Sequence, residues 1–193
     1  MRLYGTTKGK NGNTLSGVTV EIKDKNFHTL YKTQSDAQGM YSLDLPAGKY
    51  DFLTAVRDYA DSYLEYWGQN ISLAQDKELE IRIDTLEIYG LHVFSVKGAY
   101  PSLMIYFRPM SLEKYKNGNT DICPEMKRIR ILIDGKEADL LEQNQVKEYV
   151  GNGTNMRAFL IQAELPEEKK WDRVTVEIWD ENNAYGMATF FAD

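Results

Sequence analysis

The chain has 193 residues, enough for one large domain or two small ones, with 42% hydrophobic residues and 12% aromatic residues to fill a core. A net charge of -6 opposes non-specific attraction to nucleic acid, which needs basic patches, and a mean hydropathy of -0.50 with no long apolar run excludes a membrane-spanning helix. The single cysteine, Cys123, cannot close an intramolecular disulfide, so stability must come from packing.

Alternation of apolar and polar residues begins at once. In "GVTVEIKD" the side chains of Val18, Val20 and Ile22 share one face while Thr19, Glu21 and Lys23 share the other, the pattern of a half-buried strand. Leu3 to Thr7, Leu30 to Thr33, Met40 to Leu45, Lys49 to Val56, Asn70 to Leu73 and Glu78 to Asp84 read the same way, with turn residues between them. Seven short strands predict a Greek-key sandwich.

The stretch "SDAQGMYSLDLPAGKYDF" sets two turn signals around a strand. Asp36 can bond its side chain to backbone two residues on, Gly39 accepts the positive φ that closes the turn, and Pro46 and Gly48 frame a second turn. Both motifs shape backbone and supply neither nucleophile nor base. Leu15, Ser16, Gly17, Val18 and Val20, then Ser35, Asp36 and Gly39, then Tyr41, Leu43, Leu45, Pro46, Gly48 and Tyr50 together resemble the carboxypeptidase regulatory-like domain, a transthyretin-like (prealbumin-like) β-sandwich, over residues 1–85. The resemblance implies a non-catalytic accessory module of the kind found beside unrelated catalytic or surface domains.

"DYADSYLEYWG" interrupts the β pattern. Tyr59, Tyr63, Tyr66 and Trp67 stand at i, i+4, i+7 and i+8, which predicts one side of a short helix with Asp58 as N-cap and Gly68 as stop; in an extended chain Tyr63 and Trp67 would still share a face. These four aromatics are the candidate ligand or partner contact, since flat rings can stack on a sugar or anchor a protein. The simpler expectation is that they pack against their own domain or its neighbour.

From Thr85 the strand pattern restarts without an obvious linker: "LEIYGLHVFSV", "SLMIYFRP", "RIRILIDGKEADL", "MRAFLIQAELP", "RVTVEIWD" and "GMATFFAD", with Asp134-Gly135 as a hairpin turn. The final pair, "VTVEIWDENNAYGMATFF", resembles the closing hairpin of Ig-like domains, although the cysteine pair of antibody domains is absent. Residues 109–127 form a long connection, either functional or partly disordered. The expected architecture is therefore all-β: two tandem sandwiches, a transthyretin-like Greek key over 1–85 and an Ig-like domain over 86–193.

No catalytic constellation is read. His28 and His92 fall in different expected domains and in no metal spacing, and the Tyr-Arg-Gly-Ser tetrapeptide of the transthyretin-like ureide hydrolases is missing. Leu3 to Thr7 has no lysine and Tyr50 to Val56 no glutamate for an internal isopeptide bond. "DENNAYG" lacks the closing glutamate of a calcium loop and reads as an Asx-rich turn. Asn70-Ile71-Ser72 and Asn152-Gly153-Thr154 match glycosylation acceptors but carry no weight. The expectation is a non-enzyme without metal or cofactor: a binding or spacer module of a bacterial surface or secreted system, the alternatives being a carbohydrate-binding accessory protein that uses the Tyr59 to Trp67 cluster and a small hydrolase, against which the missing catalytic groups argue. Its partner would be protein or carbohydrate, with no nucleic acid and no membrane span. It would lie outside the cell if a leader has been removed from "MRLYGTT", and in the cytoplasm otherwise.

Overall fold

The computed structural model describes residues 1–165 and 170–192. The first half carries β1 (Arg2–Lys8), β2 (Thr19–Lys23), β3 (Thr29–Gln34), β4 (Met40–Asp44), β5 (Gly48–Val56), β6 (Tyr66–Leu73), β7 (Lys77–Glu78) and β8 (Ile81–Arg82). The second carries β9 (Leu86–Phe94), β10 (Ser102–Ser111), a single-turn helix α1 (Leu112–Lys116), β11 (Met126–Ile133), β12 (Lys136–Glu137), β13 (Leu140–Gly151), β14 (Thr154–Glu164), β15 (Arg173–Asp180) and β16 (Tyr185–Phe191). The all-β reading holds. Among the described residues no helix is long and apolar enough to cross a membrane.

The turn chemistry works as the sequence implies. Asp36 Oδ1 accepts from the backbone N–H groups of Gln38 and Met40, and Gly39 takes φ +74°. Asp134 and Gly135 both adopt positive φ between β11 and β12, the backbone of a two-residue hairpin. The stretch from Glu78 to Asp84 departs from expectation: it is two short strands, β7 and β8, both parallel to β1. Between them Leu79 donates its N–H to the Tyr4 carbonyl, and its own carbonyl lies where a Cβ on Gly5 would stand, 2.0 Å away. Only a glycine at position 5 lets the chain cross there.

An arrangement beyond the tandem pattern is a sheet common to both halves. Eight strands run in the order β12-β11-β15-β16-β6-β5-β2-β3, and the junction is a parallel pairing that sets Ala188 opposite Trp67 and Phe190 opposite Gln69. Two smaller sheets, β4-β1-β7 with β8 beside β1, and β13-β14-β10-β9, complete the layers. Side-chain alternation along β16 explains how one sheet serves two cores: Ala188 and Phe190 join the second-half cluster, whereas Met187 and Phe191 join the first-half cluster. The two cores therefore lie on opposite faces of the shared sheet. Gly186 allows β16 to approach β9, since a Cβ there would stand 2.8 Å from the Leu86 carbonyl oxygen.

β13 was not foreseen. It is the outer strand of its sheet, joined to β14 by a turn in which Asn152 and Gly153 both take positive φ. The Asn-Gly pair seen in the sequence as a glycosylation triplet is a hairpin turn.

Candidate functional site

The helix expected over the aromatic segment does not form, and this corrects the sequence reading. Asp58 and Ala60 take φ +49° and +60°, conformations no right-handed helix contains, and the Asp58 carbonyl gathers the N–H groups of Asp61 and Ser62 into a tight turn. Leu64 then bonds to the Asp84 carbonyl and β6 begins at Tyr66. Docking of Leu64 and Tyr66 into the body of the protein overrides the weak helical pattern.

The four aromatics are consequently not on one face. Tyr66 and Trp67, adjacent in a strand, point to opposite sides: Tyr66 is buried in the first-half cluster and Trp67 in the second. Tyr63 is half-buried under the Arg57 guanidinium, 5.2 Å from its ring centre. Tyr59 stands out in solvent at 54% exposure.

Trp67 has other aromatic neighbours than those expected. Phe27, Phe52 and Tyr89 meet it edge-on at 5.8, 6.0 and 5.7 Å between ring centres, and Phe27 stacks on Phe52 at 4.9 Å. Phe27 reaches that position from a β2–β3 turn in which it takes φ +64°, a strained backbone for a bulky residue. The indole Nε1–H donates to Glu87 Oε1 at 2.8 Å, and Glu87 Oε2 accepts the Glu65 backbone N–H at 3.2 Å. Glu87 is 1% exposed, and burial pushes its carboxyl up to about 7 against the opposing pull of the Trp67 hydrogen bond. Burial likewise raises Glu65. This carboxylate on β9 thus latches the second half to two groups of the first.

On the surface beside the latch lies a cavity of about 220 Å³. Tyr59, Ala60 and Leu64 line it from the first half, and Met110, Ser111, Tyr115 and Ile122 from the second. Met110 is the cross-strand neighbour of Glu87, so the latch and the cavity floor share a face of β9–β10. The floor is apolar, and the two tyrosine rings stand at the rim at 54% and 58% exposure. Burial, followed by the neighbouring Glu87 and Glu65 carboxylates, raises the Tyr59 hydroxyl to about 12, so it stays a protonated donor at neutral pH.

The expected connection over 109–127 is shorter, since β10 runs on to Ser111 and β11 starts at Met126; the end of β10 and the segment between them build the second-half wall, and that segment is tied down. Ser111 caps α1 by accepting from the Lys114 N–H, and the Lys116 ammonium donates to the Asp61 carbonyl across the junction. Arg157 on β14 spends its whole guanidinium on the loop: Nε to Asp121 Oδ2 at 2.6 Å, Nη1 to Glu125 Oε1 at 2.7 Å, Nη2 to the Cys123 carbonyl at 2.7 Å. Burial works against the Asp121 charge, yet the Arg157 hydrogen bond holds its carboxyl below the ordinary range.

Ser111 Oγ is engaged as a helix cap, and Cys123 is fully buried with its thiol pushed up to about 11 by that burial. His28 sits exposed beside Asp24 at 3.3 Å, while His92 lies on β9 against Phe94 and Phe190. Asp180 in the "DENNAYG" turn accepts the Ala184 N–H and so closes its own hairpin. Among the described residues no three His, Cys, Asp or Glu side chains are disposed to hold a metal. A larger groove of about 720 Å³ near the C-terminal strand has charged walls partly paired, with Lys77 3.3 Å from Asp172 and Asp134 accepting from the Asp172 and Arg173 N–H groups.

No family model matches the chain, and no curated protein matches it. Among solved structures it is similar to the major pilin subunit BcpA of Bacillus cereus, at 13% identity over 98% of this chain and 67% of that one, with a TM-score of 0.33. It is also similar to a DUF3823 family protein from Bacteroides ovatus ATCC 8483, at 12% identity over 100% of this chain and 99% of that one, with a TM-score of 0.35.

Proposed function

We propose that the chain is a non-catalytic binding module of a bacterial surface or secreted system, made of a carboxypeptidase regulatory-like unit over 1–85 and an Ig-like unit over 86–193. Its ligand contact is the junction cavity rimmed by Tyr59 and Tyr115. The observation that carries this reading is convergence: the strained loop at Asp58 and Ala60 and the long connection after Pro109 come from different halves and meet around one apolar floor. Phenol rings over such a floor suit the ring face of a sugar or an apolar side chain of a protein partner. Of the four aromatics singled out in the sequence, Tyr59 is the contact residue, while Trp67 and Tyr66 hold the frame.

Screening oligosaccharides and surface-protein fragments by calorimetry, followed by Tyr59→Ala and Tyr115→Ala, tests the reading. Each change removes one exposed aromatic contact and should weaken binding about tenfold, with the melting temperature unmoved. A ligand whose affinity ignores both changes would place the binding surface elsewhere. A spacer role has one observation in its favour, the shared eight-stranded sheet, which leaves no flexible joint between the halves.

A further inference from the structure

We propose that the chain self-associates through the free edge of β13, two copies pairing antiparallel about a two-fold axis at Val146. A strand edge offers a row of N–H and C=O groups that another strand can complete. Natural proteins blunt such edges with short strands, charged side chains, above all lysine, proline, bulges or cover, and β13 carries one lysine, Lys147. β13 is 12 residues long, contains no proline, and pairs among the described residues with β14 alone. Its two irregularities, between Leu140 and Glu142 and between Tyr149 and Gly151, lie at its ends. Leu141, Tyr149 and Val150 along it are 40%, 65% and 38% exposed.

The charge pattern of the strand selects its occupant and register. Opposed residues of a two-fold antiparallel pair must point to the same face, so the axis can move along β13 only from residue to residue. An axis at Gln145 sets Glu142 against Glu148 twice, and one at Lys147 sets lysine against lysine. An axis at Asn144 carries the pairing into the irregularity near Leu141. With the axis at Val146 the pairing runs unbroken from Gln143 to Tyr149 without like charges opposed. Valine then meets valine, Gln145 meets Lys147, and Gln143 meets Tyr149. Asn144 can donate to the partner copy's Glu148 carboxylate, which Arg108 and Tyr106 already hold in place at 3.0 and 2.6 Å.

Light scattering or sedimentation over a range of concentrations should find a species of twice the 22.2 kDa of one chain. Asn144→Lys, at an exposed position, sets a lysine opposite the partner copy's Glu148 twice per dimer and should tighten association by about 2- to 30-fold. Val146→Lys, which opposes two lysines at the axis, should loosen it by a similar factor. Val146→Cys should crosslink through a short bis-maleimide, with the buried Cys123 spared. A monomer at every concentration overturns the proposal, including one that captures a foreign strand. So does a dimer indifferent to both lysine changes, or one weakened by Asn144→Lys, which would place the axis at Asn144.

Discussion

Trp67 and Glu87 form a buried hydrogen-bonded pair that ties one half to the other. The indole is buried among Phe27, Phe52 and Tyr89, so Trp67→Ala should cost about 3 to 5 kcal/mol in chemical denaturation, the range for deleting a buried aromatic. Glu87 makes the effect depend on pH. Its carboxyl lies at about 7 in the folded protein against an ordinary 4.5, so the folded state holds the proton more tightly than the unfolded state. The stability from that difference is fully present below about 4.5, is lost as the pH rises through 7, and changes no further above it. Glu87→Gln removes the titration and keeps an acceptor for Trp67. The stability gap between variant and wild type should therefore move by about 2 to 4 kcal/mol in the variant's favour from pH 4.5 to pH 8. Parallel stability curves would show that the carboxyl does not titrate in this window. The importance of this pair was not legible in the sequence: "LEIYG" announces a strand with a glutamate in it, but nothing local says that the glutamate turns toward an indole twenty positions earlier.

At the scale of elements, period-two alternation located most strands that have one wet and one dry face, although it merged β7 and β8 into one. β13 escaped because both its faces are largely wet, so its polar residues show no alternation to read. The helix over Asp58 to Gly68 was expected from spacing alone, and the tertiary pull on Leu64 and Tyr66 won. The connection between β10 and β11 was read as either functional or partly disordered; it is ordered, and among its ties is Arg157, a residue that looks like any other strand arginine in the sequence. Cys123 provides a built-in reporter of that order. In the native protein it should resist thiol reagents, being buried with its thiol near 11. Arg157→Ala takes from Asp121 and Glu125 their closest cation and should speed labelling of Cys123 at least about tenfold, as expected for a local opening made easier by more than about 1.4 kcal/mol, while global stability falls less. Labelling that stays as slow as in the wild type would show that the loop holds without the arginine.

For the molecule as a whole, the sequence conveys two β units in series, packed closely, without telling which strands join them. Alternation tells which face of a strand is buried, not which strand lies beside it, and the parallel pairing of β6 with β16 joins segments more than a hundred residues apart. That pairing is what brings the Tyr59 loop over the connection after Pro109, so the candidate site exists only where the halves meet. Calorimetric unfolding tests this one-body account most directly. A sheet shared through β6 and β16, with Trp67 in one core and Phe191 in the other, should melt in a single transition whose calorimetric and van't Hoff enthalpies agree. Two resolved transitions, one persisting after the other half has melted, would contradict it.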